Sequence, residues 1–182
     1  PELRRMLDDA QRNVLPQVLP SSPPRGMVYH AYQAHSDLMW PMRTVAKSAL
    51  PALLPECARR GVAVVLGGPF NSGILATGSR PSDGSPPYFD YAPASVAVVA
   101  RVRALEDVCR SYDVSLAAAA LQFSAAHPAV AVVLAGARSV AELDANLELA
   151  RTSIPASFWA ELRERGLVDP SAPLPGPVPV RP

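Results

Sequence analysis

The 182-residue sequence is short of lysine, cysteine and aromatic residues: Lys47 is its only lysine, and aromatics make up 6%. The formal net charge of +1 leaves no excess of basic residues for the clustered basic face that nucleic acids require. No apolar run approaches the roughly 20 residues that a membrane-spanning helix needs. We therefore expect neither a nucleic acid nor a membrane as partner.

The two cysteines, Cys57 and Cys109, both stand inside helical patterns. No group of cysteines and histidines has the spacing of metal ligands, so we predict two buried thiols and no metal site. The sequence shows no signal-peptide pattern, which fits a reducing, cytoplasmic location. With 49% apolar residues, the chain is long enough for one globular domain with a substantial core.

The most informative stretch is Gly61 to Gly78, which reads GVAVVLGGPFNSGILATG. Its apolar, β-branched run from Val62 to Leu66 is typical of a strand buried on both faces. The small residues at 67–73 end that strand and offer backbone N–H groups that could form an anion-binding concavity. Taken alone, the stretch slightly favours a simple strand-to-loop turn.

A second stretch has the same design, with a predicted buried strand at Val130–Leu134 that closes on Gly136. Between the two strands, Ser95 and Ser115 predict helix N-caps. The order helix, strand, helix, helix, strand, helix indicates an α/β fold with a parallel sheet. The strand ends at Gly67 and Gly136 should then lie at the same edge of that sheet.

Two C-terminal helices follow from apolar spacing, one at Val140–Leu149 and one opened by Pro155. The side chains expected to point inward are Leu143, Leu147, Phe158, Trp159 and Leu162. Ser79 to Pro93 is predicted as a surface excursion. Its aromatic residues, Tyr88, Phe89 and Tyr91, either cover a ligand or pin the loop.

The two strand stretches and the segment LAAAALQFSAAHPAVAVVLAGARSVAELDANLE resemble the C-terminal part of the aldo/keto reductase family, nearest to its sugar dehydrogenases. The resemblance spans about residues 49–169, preceded by a divergent or truncated segment (1–48) and followed by a proline-rich tail (170–182). It implies the C-terminal portion of a (β/α)₈ barrel, with strands resembling the seventh and eighth and the barrel incomplete. The chain begins with proline, so we expect a piece of a longer protein.

The family binds NAD or NADP, and the resemblance implies contacts in two groups. Gly67 and Gly68 would lie beside the nicotinamide, while Pro69, Phe70, Asn71, Ser72, Gly73 and Leu75 would wrap the pyrophosphate. The second group would hold the adenosine: Gly136, Ala137, Arg138 and Ser139 at the ribose and any 2′-phosphate, with Glu142 and Asn146 at the adenine edge. A solvated surface role is the alternative for Arg138 and Asn146.

The family's catalytic Asp, Tyr, Lys and His have no clear counterparts, so no catalytic residue is assigned. Lys47 directly precedes the helix that leads to the first predicted strand, too late in the chain for the catalytic lysine. His35, in a Tyr-Gln-Ala-His segment similar to one in the family, is more simply a loop or strand histidine.

The resemblance implies an oxidoreductase that passes a hydride between NAD(P) and a sugar or other small carbonyl or alcohol substrate. The isolated chain is expected to be inactive, and to be unstable or to self-associate through exposed barrel edges. The alternative is an inactive homologue that binds only nucleotide or a protein partner. A third reading, an interaction module using the proline-rich tail, rests on composition alone.

Overall fold

The computed structural model describes residues 29–30 and 50–176. Along the chain the elements are β1 (Tyr29–His30), α1 (Leu50–Arg60), β2 (Val64–Gly67), α2 (Ile74–Thr77), β3 (Tyr88–Phe89), β4 (Ala92–Pro93), α3 (Val96–Ser111), α4 (Leu116–Ala125), β5 (Val130–Leu134), α5 (Val140–Arg151) and α6 (Ala156–Glu164). Apart from β1, the predicted segment 1–48 lies outside the described residues, as do residues 177–182 of the tail.

Three strands form a parallel sheet in the order β1-β2-β5. Val64 pairs with Val130 at one end of the β2–β5 ladder, and Gly67 pairs with Leu134 at the other. Parallel neighbours need a long crossover, which α2, α3 and α4 provide here. The predicted α/β fold with a parallel sheet is therefore confirmed, although β2 begins two residues later than expected.

Polar caps and a glycine set the helix ends. The hydroxyl of Ser95 accepts the N–H of Val98 at 3.3 Å, and that of Ser115 accepts the N–H of Ala118 at 3.0 Å. Both predicted N-caps are thus confirmed. After α1, Gly61 adopts a φ of 66°, a left-handed conformation that glycine adopts without steric cost.

The core lies where α3, α4 and α6 pack together around an aromatic cluster. The Trp159 ring meets Phe158 edge-on at 4.9 Å between centroids and stacks with Phe123 at 6.2 Å. Phe158, Trp159 and Leu162 are buried, as predicted. Cys57 and Cys109 are both buried, as predicted.

Two predictions about burial are wrong. Val132 and Leu134 of β5 are 49% and 55% exposed, so this strand is not buried on both faces. Leu143 and Leu147 do not point into a core, because no residue of α5 is buried. Apolar periodicity shows which side chains share a face, but another element has to cover that face. Among residues 50–176, the packing of α4 against β5 and α5 leaves these four side chains about half exposed.

Candidate functional site

The loop after β2 has an unusual left-handed backbone. Gly68, Asn71, Ser72 and Gly73 have φ values of 67°, 43°, 55° and 98°. Such values cost energy in residues with a side chain, and they persist where surrounding contacts fix the backbone. Here the N–H of Asn71 donates to the Gly68 carbonyl, and the N–H of Gly73 donates to that of Phe70, both at 3.0 Å. The loop is a tightly folded turn.

This turn leaves backbone donors available. Within the described residues, the N–H groups of Phe70 and Ser72 have no intramolecular acceptor. A Cβ placed on Gly73 would meet no atom within 4 Å, so the backbone there is open. Successive N–H groups in a turn can bind the oxygens of an anion. This geometry fits a phosphate-binding loop.

The side chains of Asn71 and Ser72 hold a hairpin that the sequence did not predict. Strands β3 and β4 are joined by Asp90 and Tyr91, whose φ values of 51° and 62° are those of a two-residue type I′ turn. The Asp90 N–H donates to Asn71 Oδ1 at 3.2 Å, and the Tyr91 N–H donates to Ser72 Oγ at 2.9 Å. The loop and the hairpin are therefore one connected unit.

The hairpin aromatics divide between two environments. Phe89 packs against the core and so pins the hairpin, as one of the two predicted readings proposed. Tyr88 and Tyr91 are 45% and 72% exposed. Their rings are thus available to contact a molecule bound beside the loop.

Several residues predicted to contact the cofactor have side chains that a ligand could not reach. Leu75 is 1% exposed and belongs to the hydrophobic core, with Phe70 packed against the same cluster. Gly67 and Pro69 are buried and Gly68 is half-buried. The loop therefore presents backbone groups rather than apolar side chains.

The second predicted segment lies at the start of α5. Ser139 is the N-cap, its hydroxyl accepting the Glu142 N–H at 3.1 Å. Glu142 receives the backbone N–H of Arg138 at 2.7 Å and the guanidinium Nη2 at 2.9 Å. Asn146 Nδ2 donates to the Gly136 carbonyl at 3.3 Å. These contacts bring the predicted adenosine-side residues together, with Ala137 exposed among them.

Arg138 and Glu142 form an ion pair near the start of α5. The hydrogen bond from Arg138 lowers the pKa of Glu142, and the same bond raises the pKa of Arg138. The Arg138 side chain is 92% exposed, so water screens the pair and it is weak. An arriving anion could draw the guanidinium away from Glu142 at little cost.

Gly136 has no structural need to be glycine among the described residues. Its backbone is not left-handed, and a Cβ would meet no atom within 4 Å. A close approach of a ligand to the backbone would explain a glycine here.

The sheet brings the two segments together at one edge. Because Gly67 pairs with Leu134 in a parallel ladder, the loops after β2 and β5 leave from neighbouring strand ends. In open α/β sheets, ligands bind at the carboxyl ends of the strands. The expected common edge is confirmed.

One anchoring contact escaped prediction. The Glu106 carboxylate on α3 accepts the Ser79 N–H and the Ser79 hydroxyl, both at 2.7 Å. Gly78 makes room for it, since a Cβ there would lie 2.4 Å from Glu106 Oε1. The pair ties the chain just after α2 to α3. Because the partners are 27 positions apart, no local pattern could reveal it.

Other predicted features fall outside this geometry. Residues Tyr32, His35 and Lys47 lie outside the described part of the chain. Across residues 50–176, no three His, Cys, Asp or Glu side chains are grouped as a metal site. None of the helices in that range has the length and apolarity to cross a bilayer.

Residues 30–166 match the model of the aldo/keto reductase family, so the chain belongs to that family. The membership of this family predicted from the sequence is thus confirmed.

Among curated proteins, the chain is similar to a pyridoxal 4-dehydrogenase from Microbacterium luteolum, with 44% identity over 63% of this chain and 32% of the relative. It is also similar to a D-threo-aldose 1-dehydrogenase from a Pseudomonas species, with 36% identity over 66% of this chain and 36% of the relative. The chain thus spans about a third of the length of these relatives.

Solved structures of aldo-keto reductase AKR11C1 from Bacillus halodurans match at 20% identity. The apo form has a TM-score of 0.48 and the holo form 0.49, each with 93% of this chain covered. The match covers 57% of the apo chain and 56% of the holo chain.

Proposed function

We propose that this chain is the cofactor-binding portion of an NAD(P)-dependent aldo/keto reductase-type oxidoreductase, built as part of a (β/α)₈ barrel. The observation that carries the proposal is that the loops after β2 and β5, both with open backbone groups, lie at neighbouring ends of parallel strands in a member of this family. The names of the relatives support a sugar or another small carbonyl or alcohol as substrate.

The described residues fit such a cofactor. The N–H groups of Phe70 and Ser72 would hold the pyrophosphate oxygens, and Arg138 would bind a phosphate or stack on the adenine. Gly136 would let the ribose approach the backbone. When bound, NAD(P) would supply or accept the hydride. The described residues orient that molecule, and we assign the proton transfer to none of them.

The alternative is a homologue without catalytic activity that retains nucleotide binding or only packs against a partner. The observation that favours it is that residues 50–176 offer two loops for a nucleotide but include no lysine, since Lys47 stands three residues before α1. A reducing, cytoplasmic setting remains a prediction.

Calorimetric titration of the chain with NAD⁺ and with NADP⁺ tests the proposal. We expect saturable binding that Arg138→Ala weakens by about tenfold, the loss of one charge-assisted contact. The matched control is Arg151→Ala at the far end of α5, where the arginine forms a similar exposed pair with Glu148. This control should leave the affinity unchanged.

A second variant tests the open backbone. Gly136→Ala should change the free energy of unfolding by less than about 0.5 kcal/mol, because its Cβ meets no protein atom. It should nevertheless weaken nucleotide binding. Failure of the folded wild-type chain to bind either nucleotide would reject the proposal and favour the packing-only homologue.

A further inference from the structure

The carboxylate of Glu142 holds the Arg138 side chain at the start of α5. Its Oε1 accepts the guanidinium Nε at 3.2 Å and Nη2 at 2.9 Å, and its Oε2 accepts the Arg138 backbone N–H at 2.7 Å. The guanidinium can turn away, because the ion pair is exposed and weak. The carboxylate itself stays bonded to the backbone next to the helix N-cap, Ser139. A negative charge is therefore held among the residues predicted to contact the adenosine.

One acceptor position of this carboxylate is unused within the described part of the chain. A carboxylate offers about four positions to hydrogen-bond donors, and Arg138 fills three of them. The remaining position, on Oε2, fits a single hydroxyl donor. The hydrogen bond from the Arg138 side chain lowers the pKa of Glu142, so the carboxylate is ionised at neutral pH and cannot donate to a ligand.

The surroundings of Glu142 hold no surplus of positive charge. Residues 136–146 contain one basic side chain, Arg138, and two acidic ones, Glu142 and Asp144. The N-terminus of a helix attracts anions, but Glu142 lies in the first turn of α5 and offsets that dipole with its own charge. The segment is therefore poorly suited to a dianion.

NAD and NADP differ at one group, the substituent on the 2′ carbon of the adenosine ribose. NAD has a hydroxyl there, which donates readily to a carboxylate. NADP has a phosphate monoester, a group that carries a charge of about −1.5 to −2 at pH 7. In dinucleotide-binding folds of another architecture, an acidic residue that accepts the 2′-hydroxyl favours NAD, and an arginine accommodates the 2′-phosphate. Here both residue types are present, and the acidic one binds the arginine.

We propose that Glu142 makes the adenosine side of this site select NAD over NADP, an inference that rests on the proposed cofactor binding. The open position on Oε2 accepts the 2′-hydroxyl of NAD. A 2′-phosphate that took the Arg138 guanidinium would instead leave the Glu142 carboxylate beside a dianion, held there by the backbone. With NAD bound, Arg138 stays paired with Glu142 and can stack its planar guanidinium on the adenine, a contact that does not discriminate between the cofactors.

The ratio of the two dissociation constants, measured by calorimetric titration at equal salt, tests the selection. We expect NADP to bind the wild-type chain about tenfold or more weakly than NAD, and the ratio to fall as ionic strength rises. Glu142→Gln keeps the size of the side chain and removes its charge, so NADP should bind about tenfold more tightly. The affinity for NAD should change less than about threefold, because the amide oxygen still accepts the hydroxyl.

The matched control is Glu148→Gln, which neutralises the glutamate of the other exposed ion pair of α5, formed with Arg151. It should leave the ratio unchanged, and circular dichroism checks that each variant is folded. A wild-type chain that binds NADP as tightly as NAD would overturn the inference and leave the proposed function standing. A ratio that Glu142→Gln does not change, or that Glu148→Gln changes equally, would also overturn it. Binding of neither cofactor by the folded chain would reject the proposed function and this inference together.

Discussion

Replacing Glu106 should loosen the anchor between the candidate site and the core. The carboxylate accepts two short hydrogen bonds from Ser79, which is itself 7% exposed. Hydrogen bonds to a charged group contribute about 1.5–3 kcal/mol each, and partial exposure places these near the lower end. Glu106→Ala should therefore lower the free energy of unfolding by about 3 kcal/mol. Ser79→Ala, which loses only the hydroxyl bond, should cost about half as much.

Urea unfolding followed by circular dichroism measures these values, and the double variant completes a thermodynamic cycle. The two losses should be less than additive, because both variants remove the same hydroxyl bond. Asp107→Ala is the matched control: it removes the neighbouring carboxylate, whose partner is the exposed Arg110, and should cost less than about 0.5 kcal/mol. A Glu106→Ala variant as stable as that control would refute the anchoring argument.

Three further predictions follow from the core and its titratable groups. Trp159→Ala should cost about 3–5 kcal/mol in urea unfolding, and a loss below about 1 kcal/mol would contradict the packing described. Burial lowers the pKa of His127 below its ordinary 6.5, and its Nδ1 accepts the Ala129 N–H. As the pH falls, His127 is therefore protonated in the unfolded chain before it is protonated in the folded chain. The contribution of neutral His127 to the free energy of unfolding is therefore fully present above pH 6.5 and declines below it. His127→Asn keeps a hydrogen-bond acceptor but cannot titrate, so its stability should fall less steeply below pH 6.5. Burial and the nearby Glu106 raise the pKa of Cys109 to about 11, so roughly one thiol in a thousand is ionised at pH 8. Alkylation of Cys109 should therefore occur only after the chain unfolds. Stoichiometric labelling of Cys109 in the native chain would contradict this prediction.

Local sequence patterns determined much of the fold. The apolar run bounded by glycines placed β2 to within two residues, since a buried strand requires continuous apolar residues there. Ser95 and Ser115 marked helix starts because a cap depends only on residues three positions away. The inward positions of Phe158, Trp159 and Leu162 followed from helical spacing, and two specific motifs indicated the family.

The tertiary structure decided the contacts between residues far apart in the chain. Ser72 and Tyr91 are 19 positions apart, and Ser79 and Glu106 are 27 apart, so no spacing rule links either pair. The exposure of β5 and α5 likewise could not be predicted from the sequence, because an apolar stripe has the same pattern whether or not another element covers it. The sequence by itself thus determined which elements form and which faces are apolar. Only the tertiary structure showed which of those faces find a partner, because burial depends on the whole set of packed elements.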